Sequence, residues 1–125
     1  ALKTMDLIED EKILEHVRQI TPHFQGRLHT LGEKYEIVGD ARGIGLLGCL
    51  EGNISAGLTA SETLSIDYKF GELIDSACEK RGLLVRPIIN MCVFSPPLII
   101  TENQIDKMFD ILDDSLNEVQ NNLLK

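Results

Sequence analysis

The chain has 125 residues, with 12 Lys+Arg against 20 Asp+Glu and a formal net charge of −8. That length suits one domain with its own core, and 43% hydrophobic with 26% charged residues is the composition of a globular domain. The acidic balance argues against a nucleic-acid or anionic-membrane surface, which needs an excess of Lys and Arg. The longest uncharged run, 87–101, contains prolines and is too short to span a bilayer.

Helix signals open the chain. Leu14, Val17, Thr21, Phe24, Leu28 and Leu31 recur at spacings of three and four and put one apolar stripe on one helix face. The spacing predicts a single long helix over 6–31, kinked at Thr21–Pro22 and stopped by Gly32. Residues 36–51, rich in Ile, Leu and Gly without helical period, predict strands over 36–42 and 45–51 with a tight turn at Arg42, Gly43 and Ile44. The small polar stretch 53–65 reads as a loop. A second helix follows over 66–81, with Phe70, Leu73, Ile74 and Ala77 buried and Gly82 ending it. Strands are expected over 83–86 and 90–94, halted by Ser95, Pro96 and Pro97. Thr101 and Gln104 form a T-x-x-Q capping box that opens a last helix, with Ile105, Met108, Phe109, Leu112, Leu116, Val119 and Leu123 on one face. The order helix-strand-strand-helix-strand-strand-helix, without a βαβ rhythm, makes this an α+β domain. Its small, mainly antiparallel sheet is covered by helices.

Each motif also has a plainer reading. Gly43-Ile44-Gly45-Leu46-Leu47-Gly48 matches G-x-G-x-x-G. A dinucleotide site needs those glycines to lead into a helix, whereas here they lead into a strand, so a hairpin is the better reading. His16 and His23 share a helix face but lack further ligands at metal-site spacing, and they read as exposed helix histidines, with no metal site. His16, His23 and His29 all fall in the first quarter, away from any Ser or Cys nucleophile in sequence, which weakens a triad. Cys49, Cys78 and Cys92 are odd in number and form no C-x-x-C, so they read as buried, inert thiols in reducing cytosol. No basic stretch followed by an apolar one opens the chain, and a signal peptide is not expected. Asp106, Asp110, Asp113 and Asp114 read as a solvated helix face. Arg86, between Leu83-Leu84-Val85 and Pro87-Ile88-Ile89, must reach solvent, pair with an acid or meet a ligand anion. A rim salt bridge is the plainest reading, and Arg42 carries the same ambiguity.

Three stretches carry a resemblance. VGDARGIGLLGCLE, then GLLVRPIINMCVFSPPLIIT and an amphipathic last helix, are similar to the C-terminal small domain of class III aminotransferases. The opening ALKTMDLIEDEKILEHVRQI resembles the helix that leads into it. The combination of V-G-[DE]-x-R-G-x-G-L with G-L-x-x-R and P-P-L is fairly specific. The resemblance implies a single domain over 1–125, with 1–33 as a long linking helix and 36–125 as sheet and helices, belonging to a fold-type I enzyme dependent on pyridoxal 5'-phosphate.

The resemblance also implies functions for residues. Arg86 stands nine residues before Pro96, where the family places the arginine that meets the substrate carboxylate. Arg42, Gly43 and Gly45 match a structural hairpin. The Schiff-base lysine belongs to an upstream large domain of the same polypeptide, so this chain alone is expected to hold no cofactor and to be inactive. The implied parent is a cytoplasmic homodimer that moves an amino group from an amine or amino acid to a keto acid such as pyruvate. Ile89-Asn90, where many omega-aminotransferases have Gly-Asp, and Arg86-Pro87 depart from that branch and leave the amino donor open. The competing reading is an autonomous α+β module that binds a small ligand or dimerises through its sheet, without cofactor.

Overall fold

The first helical segment is two helices, and their boundary is not at the proline. In the computed structural model, which describes residues 2–54 and 58–124, α1 (Leu2–Asp10) ends at a left-handed Lys12 (φ 51°) and α2 (Ile13–Lys34) runs through Pro22 unbroken. Pro22 is exposed and follows the exposed Arg18 by one turn, so the carbonyl that loses its N–H partner can turn to water. Thr21 Oγ1 donates to the Val17 carbonyl at 2.7 Å and satisfies another acceptor of the same turn. The long linking helix expected over 1–33 is therefore interrupted at Glu11–Lys12. Gly32 does not stop α2 either. A side-chain carbon there would come within 2.4 Å of the Ala41 Cβ, so this glycine serves the close approach of helix and sheet.

Four strands form one antiparallel sheet in the order β1-β2-β4-β3. They are β1 (Val38–Ile44), β2 (Leu47–Gly52), β3 (Arg86–Ile88) and β4 (Met91–Phe94). The β1–β2 turn falls at Gly45–Leu46, where Gly45 has φ +59°, and not at Arg42-Gly43-Ile44. β3 starts at Arg86, so the expected strand over 83–86 lies too early. The part of the 53–65 loop at 55–57 lies outside the described residues. Residues 60–65 are already helical, because α3 (Ala60–Glu79) opens on a capping box in which the Thr59 N–H donates to Glu62 Oε2 at 3.0 Å. Helix α4 (Glu102–Leu123) opens on the Thr101–Gln104 box.

The fold is thus α+β, with α2, α3 and α4 on one face of the sheet and α1 against α2. Helix α2 lies on β1 and β2, α3 on β3 and β4, and α4 packs against both helices. Phe24, Leu28, Leu50, Phe70, Ile74, Phe109, Leu112 and Leu116 are sealed between them. Phe24 meets Phe109 edge-on with ring centres 5.3 Å apart. No helix among the described residues is long and apolar enough to cross a membrane.

The acidic face of α4 is not simply solvated. Arg27 bridges Asp106 (3.0 Å) and Asp110 (2.5 Å), His23 Nε2 lies 2.8 Å from Asp106, and Lys34 Nζ donates to Asp113 at 2.7 Å. Tyr35 donates its hydroxyl to Asp113 at 2.6 Å. Burial, then the Asp113 hydrogen bond, pushes the Tyr35 hydroxyl well above the ordinary tyrosine range. Partial burial pushes the Asp113 carboxyl up, but Lys34 and Tyr35 outweigh it and hold it below the ordinary range.

Asp113 stabilises the fold fully above its unfolded pKa of about 3.9 and loses that contribution as pH falls through its lower folded value. Asp113→Asn should flatten the acid limb of a Tm-against-pH curve below pH ~4, and an unchanged limb would remove Asp113 from the acid response. Ile89, a β-branched residue at φ 58° in the β3–β4 turn, is strained. Its carbonyl sits 2.2 Å from where a Gly71 side chain would be, so α3 rides directly over this turn. Ile89→Gly should stabilise by ~1 kcal/mol in denaturant unfolding, whereas a loss of stability would show that the Ile89 side chain holds the turn.

Candidate functional site

The period of two along each strand sorts the sheet into a covered and an open face. Leu50, Cys92 and Phe94 point to the helices and are buried. The pairing then aligns two rows on the open face. One is Arg42–Cys49–Val93–Arg86, and the other is Asp40–Glu51–Met91–Ile88. Arg42 and Arg86 therefore end one row, three strand spacings or about 14 Å apart.

These two arginines differ in their partners. Arg42 Nη1 lies 2.5 Å from Asp40 and 2.6 Å from Glu51, so two carboxylates neutralise it. The Asp40 and then the Glu51 hydrogen bond hold it more firmly protonated than an ordinary arginine. Gly43 and Gly45 flank the hairpin turn. At Gly43 a side chain would come within 2.3 Å of the Leu47 carbonyl, and Gln25 Nε2 donates to the Gly45 carbonyl at 2.9 Å, tying the turn to α2. The glycine motif leads into β2, as a hairpin requires and a dinucleotide site does not.

Arg86 is exposed at the start of the edge strand β3 and has no ion pair among the described residues. The rim salt bridge expected for it is absent there. Arg86 instead borders an open cavity of about 890 Å³ walled mainly by apolar side chains from the 83–85 and 93–100 segments and by Met108. The turn that follows Arg86 is pinned by Asn90. Its side-chain Nδ2 donates to the Gly52 carbonyl at 2.9 Å, and its own carbonyl accepts the Gly52 N–H at 2.8 Å. Sequence reasoning missed Asn90, although an Asn in a two-residue hairpin turn was the available signal. An unpaired planar guanidinium beside apolar walls suits bidentate capture of a carboxylate.

The other candidate residues do not converge. His16 is half-buried, with Nε2 2.8 Å from the Ile100 carbonyl, and His23 is held by Asp106, so neither is a free surface histidine. No group of three or more His, Cys, Asp or Glu among the described residues is placed to hold a metal ion. Cys78 and Cys92 are buried, while Cys49 is only half-buried. Burial pushes the Cys49 thiol up, and nearby Arg42 offsets part of that rise. At neutral pH Cys49 should therefore alkylate more slowly than a free thiol and Cys78 and Cys92 slower still, with all three reacting fast after denaturation. Fast native labelling of Cys78 or Cys92 would contradict this burial.

The Aminotransferase class-III family profile matches residues 1–116. A Pseudomonas aeruginosa protein named putrescine–pyruvate aminotransferase is 31% identical over 94% of this chain and 25% of its own length. The Oryza sativa subsp. japonica protein named "Probable gamma-aminobutyrate transaminase 4" is 31% identical over 96% of this chain and 24% of its own. An omega-transferase from Vibrio fluvialis JS17 superposes with a TM-score of 0.83 at 34% identity, covering 98% of this chain and 29% of that one. The chain spans about a quarter of the length of the curated relatives it matches.

Proposed function

Because the chain belongs to the class-III aminotransferase family, we propose that it is the C-terminal small domain of a transaminase and binds the substrate carboxylate through Arg86. The unpaired guanidinium of Arg86 at an apolar cavity carries this reading. The parent enzyme moves an amino group from an amine or amino acid to a keto acid such as pyruvate. The names of the relatives, which include putrescine, pyruvate and gamma-aminobutyrate, support that substrate range.

The residues at this cavity do not fit pyridoxal phosphate. No lysine among the described residues lines it, so they offer no amine there for the cofactor carbonyl. Lys34 and Lys80 are engaged with Asp113 and Glu118. The cofactor and its lysine are assigned to a large domain of the same polypeptide. That the chain spans a quarter of its relatives supports this assignment. On this reading the chain alone is inactive, and the working enzyme is a cytoplasmic homodimer.

The contribution of this domain is orientation. Two N–H groups of the Arg86 fork donate to the two carboxylate oxygens and fix the direction in which the adjoining carbon points. Apolar walls lower the local dielectric and strengthen that pair. Holding the reacting carbon in place removes rotational and translational freedom before the chemical step. Arg86 exchanges no proton in this role.

Arg86→Ala in the full-length enzyme should lower kcat/KM for a keto acid about 10- to 100-fold, the loss of hydrogen bonds to a charged group at ~1.5–3 kcal/mol. Arg86→Lys should recover part of it, and the half-reaction with an amine lacking a carboxylate should be nearly unchanged. Equal losses for substrates with and without a carboxylate would overturn the reading.

A further inference from the structure

Arg86 stands on a short edge strand. β3 has three residues and pairs with β4 alone, and Pro87 can donate no N–H. The backbone from which Arg86 projects is therefore held only as firmly as the turn that joins the two strands. That turn has two residues, Ile89 and Asn90. Ile89 takes φ 58°, and Asn90 does not share that sign. A two-residue hairpin turn with this pattern ordinarily takes glycine first. A β-branched residue there pulls the turn toward other conformations unless its surroundings hold it.

Asn90 grips one residue at two points. Its main-chain carbonyl accepts the Gly52 N–H at 2.8 Å, and its side-chain Nδ2 donates to the Gly52 carbonyl at 2.9 Å. A carbonyl oxygen only accepts, so the amide must turn its nitrogen to Gly52. Gly52 is itself buried at the end of β2 and packed under α3, where a side chain would come within 2.9 Å of the Phe70 ring. The next residue of α3, Gly71, leaves room for the Ile89 carbonyl. Consecutive residues of one helix thus press on both ends of the link, and every atom of the link belongs to the described residues. Asn90 does not line the cavity that Arg86 borders, and the turn begins about 10 Å from Arg86 along the strand.

We propose that Asn90 is a positioning residue for Arg86. Its two-point grip on Gly52 holds the strained Ile89 turn, keeps β3 in register with β4, and so sets the direction in which the guanidinium leaves the sheet. A bidentate pair tolerates little error in that direction, because two N–H groups must meet two oxygens at once. The proposal rests on the reading of Arg86 as the carboxylate ligand and adds the residue that aims it.

The test is a titration of the full-length enzyme with pyruvate, followed through its arginine side-chain ¹⁵N signals, in Asn90→Ala and Asn90→Leu. Leucine fills the volume of the amide without a donor, which separates a lost hydrogen bond from a lost contact and serves if the alanine variant fails to fold. Pyruvate should bind Arg86 about tenfold more weakly in both variants. The kcat/KM for pyruvate should fall in step, while the Arg42 signals stay in place. Adding Ile89→Gly to Asn90→Ala removes the strain that the grip opposes and should recover most of the affinity. Unchanged pyruvate affinity would overturn the positioning role and leave the carboxylate reading standing. Displacement of the Arg42 signals together with those of Arg86 would overturn it too, because Asn90 would then support the whole sheet. A double variant as weak as Asn90→Ala alone would overturn the claim that the grip opposes the Ile89 strain. No saturable shift at Arg86 in the unaltered enzyme would overturn the proposal together with the reading it rests on.

Discussion

Each strand of this sheet turns alternate residues to opposite sides, and α2, α3 and α4 occupy one side only. That single constraint places nearly everything of functional interest. Leu50, Cys92 and Phe94 must face α2, α3 and α4, because burying them closes the core around Phe24, Phe70 and Phe109. Arg42, Cys49, Val93 and Arg86 are then committed to the open side in one row across four strands. A slip of one residue in the β3–β4 pairing would bury the Arg86 guanidinium under α3, at a cost the fold could not bear. The register that makes the core is also the register that presents the cation.

Within that row, local charge separates two residues of the same type. Arg42 has Asp40 two residues earlier on its own strand and Glu51 on the neighbouring strand, and it becomes part of the hairpin. Arg86 has Pro87 and Ile88 after it and an apolar segment before it, so its strand supplies no acid. One arginine is held in the hairpin by two acids and the other has no ion pair among the described residues, because of what the adjacent positions carry. The turn that fixes β3 against β4 is built from a strained Ile89 and an anchored Asn90, under a glycine of α3 that leaves room for the Ile89 carbonyl. The precision of the Arg86 position thus depends on contacts well away from its side chain.

Much of this was legible in the residues. The apolar spacing of α2 and α4, the Thr101–Gln104 box and the Gly-rich hairpin are local signals, and the structure shows elements at each. The errors share one cause, which is that punctuation residues answer to tertiary surroundings. Pro22 is tolerated where its ring faces solvent, Gly32 serves packing on Ala41, and the helix break falls at Lys12, which no sequence rule marks. The start of α3 was legible and overlooked, since Thr59-Ala60-Ser61-Glu62 is a T-x-x-E box. At the site, sequence isolated Arg86 as a charge in an apolar run. It could not show that no described acid reaches Arg86, because that depends on pairing across strands. The ion pairs between α2 and α4 were hidden for the same reason, their members lying 79 or more residues apart in the chain.

We propose that Arg86, which has no ion pair among the described residues, and not the paired Arg42, receives a carboxylate. The most direct measurement is ¹⁵N NMR of the arginine side chains during titration with pyruvate, with resonances assigned by Arg86→Lys and Arg42→Lys. The Arg86 guanidinium signals should shift saturably while those of Arg42 stay fixed. A saturable shift at Arg42 with Arg86 unmoved, or no shift at either, would contradict it.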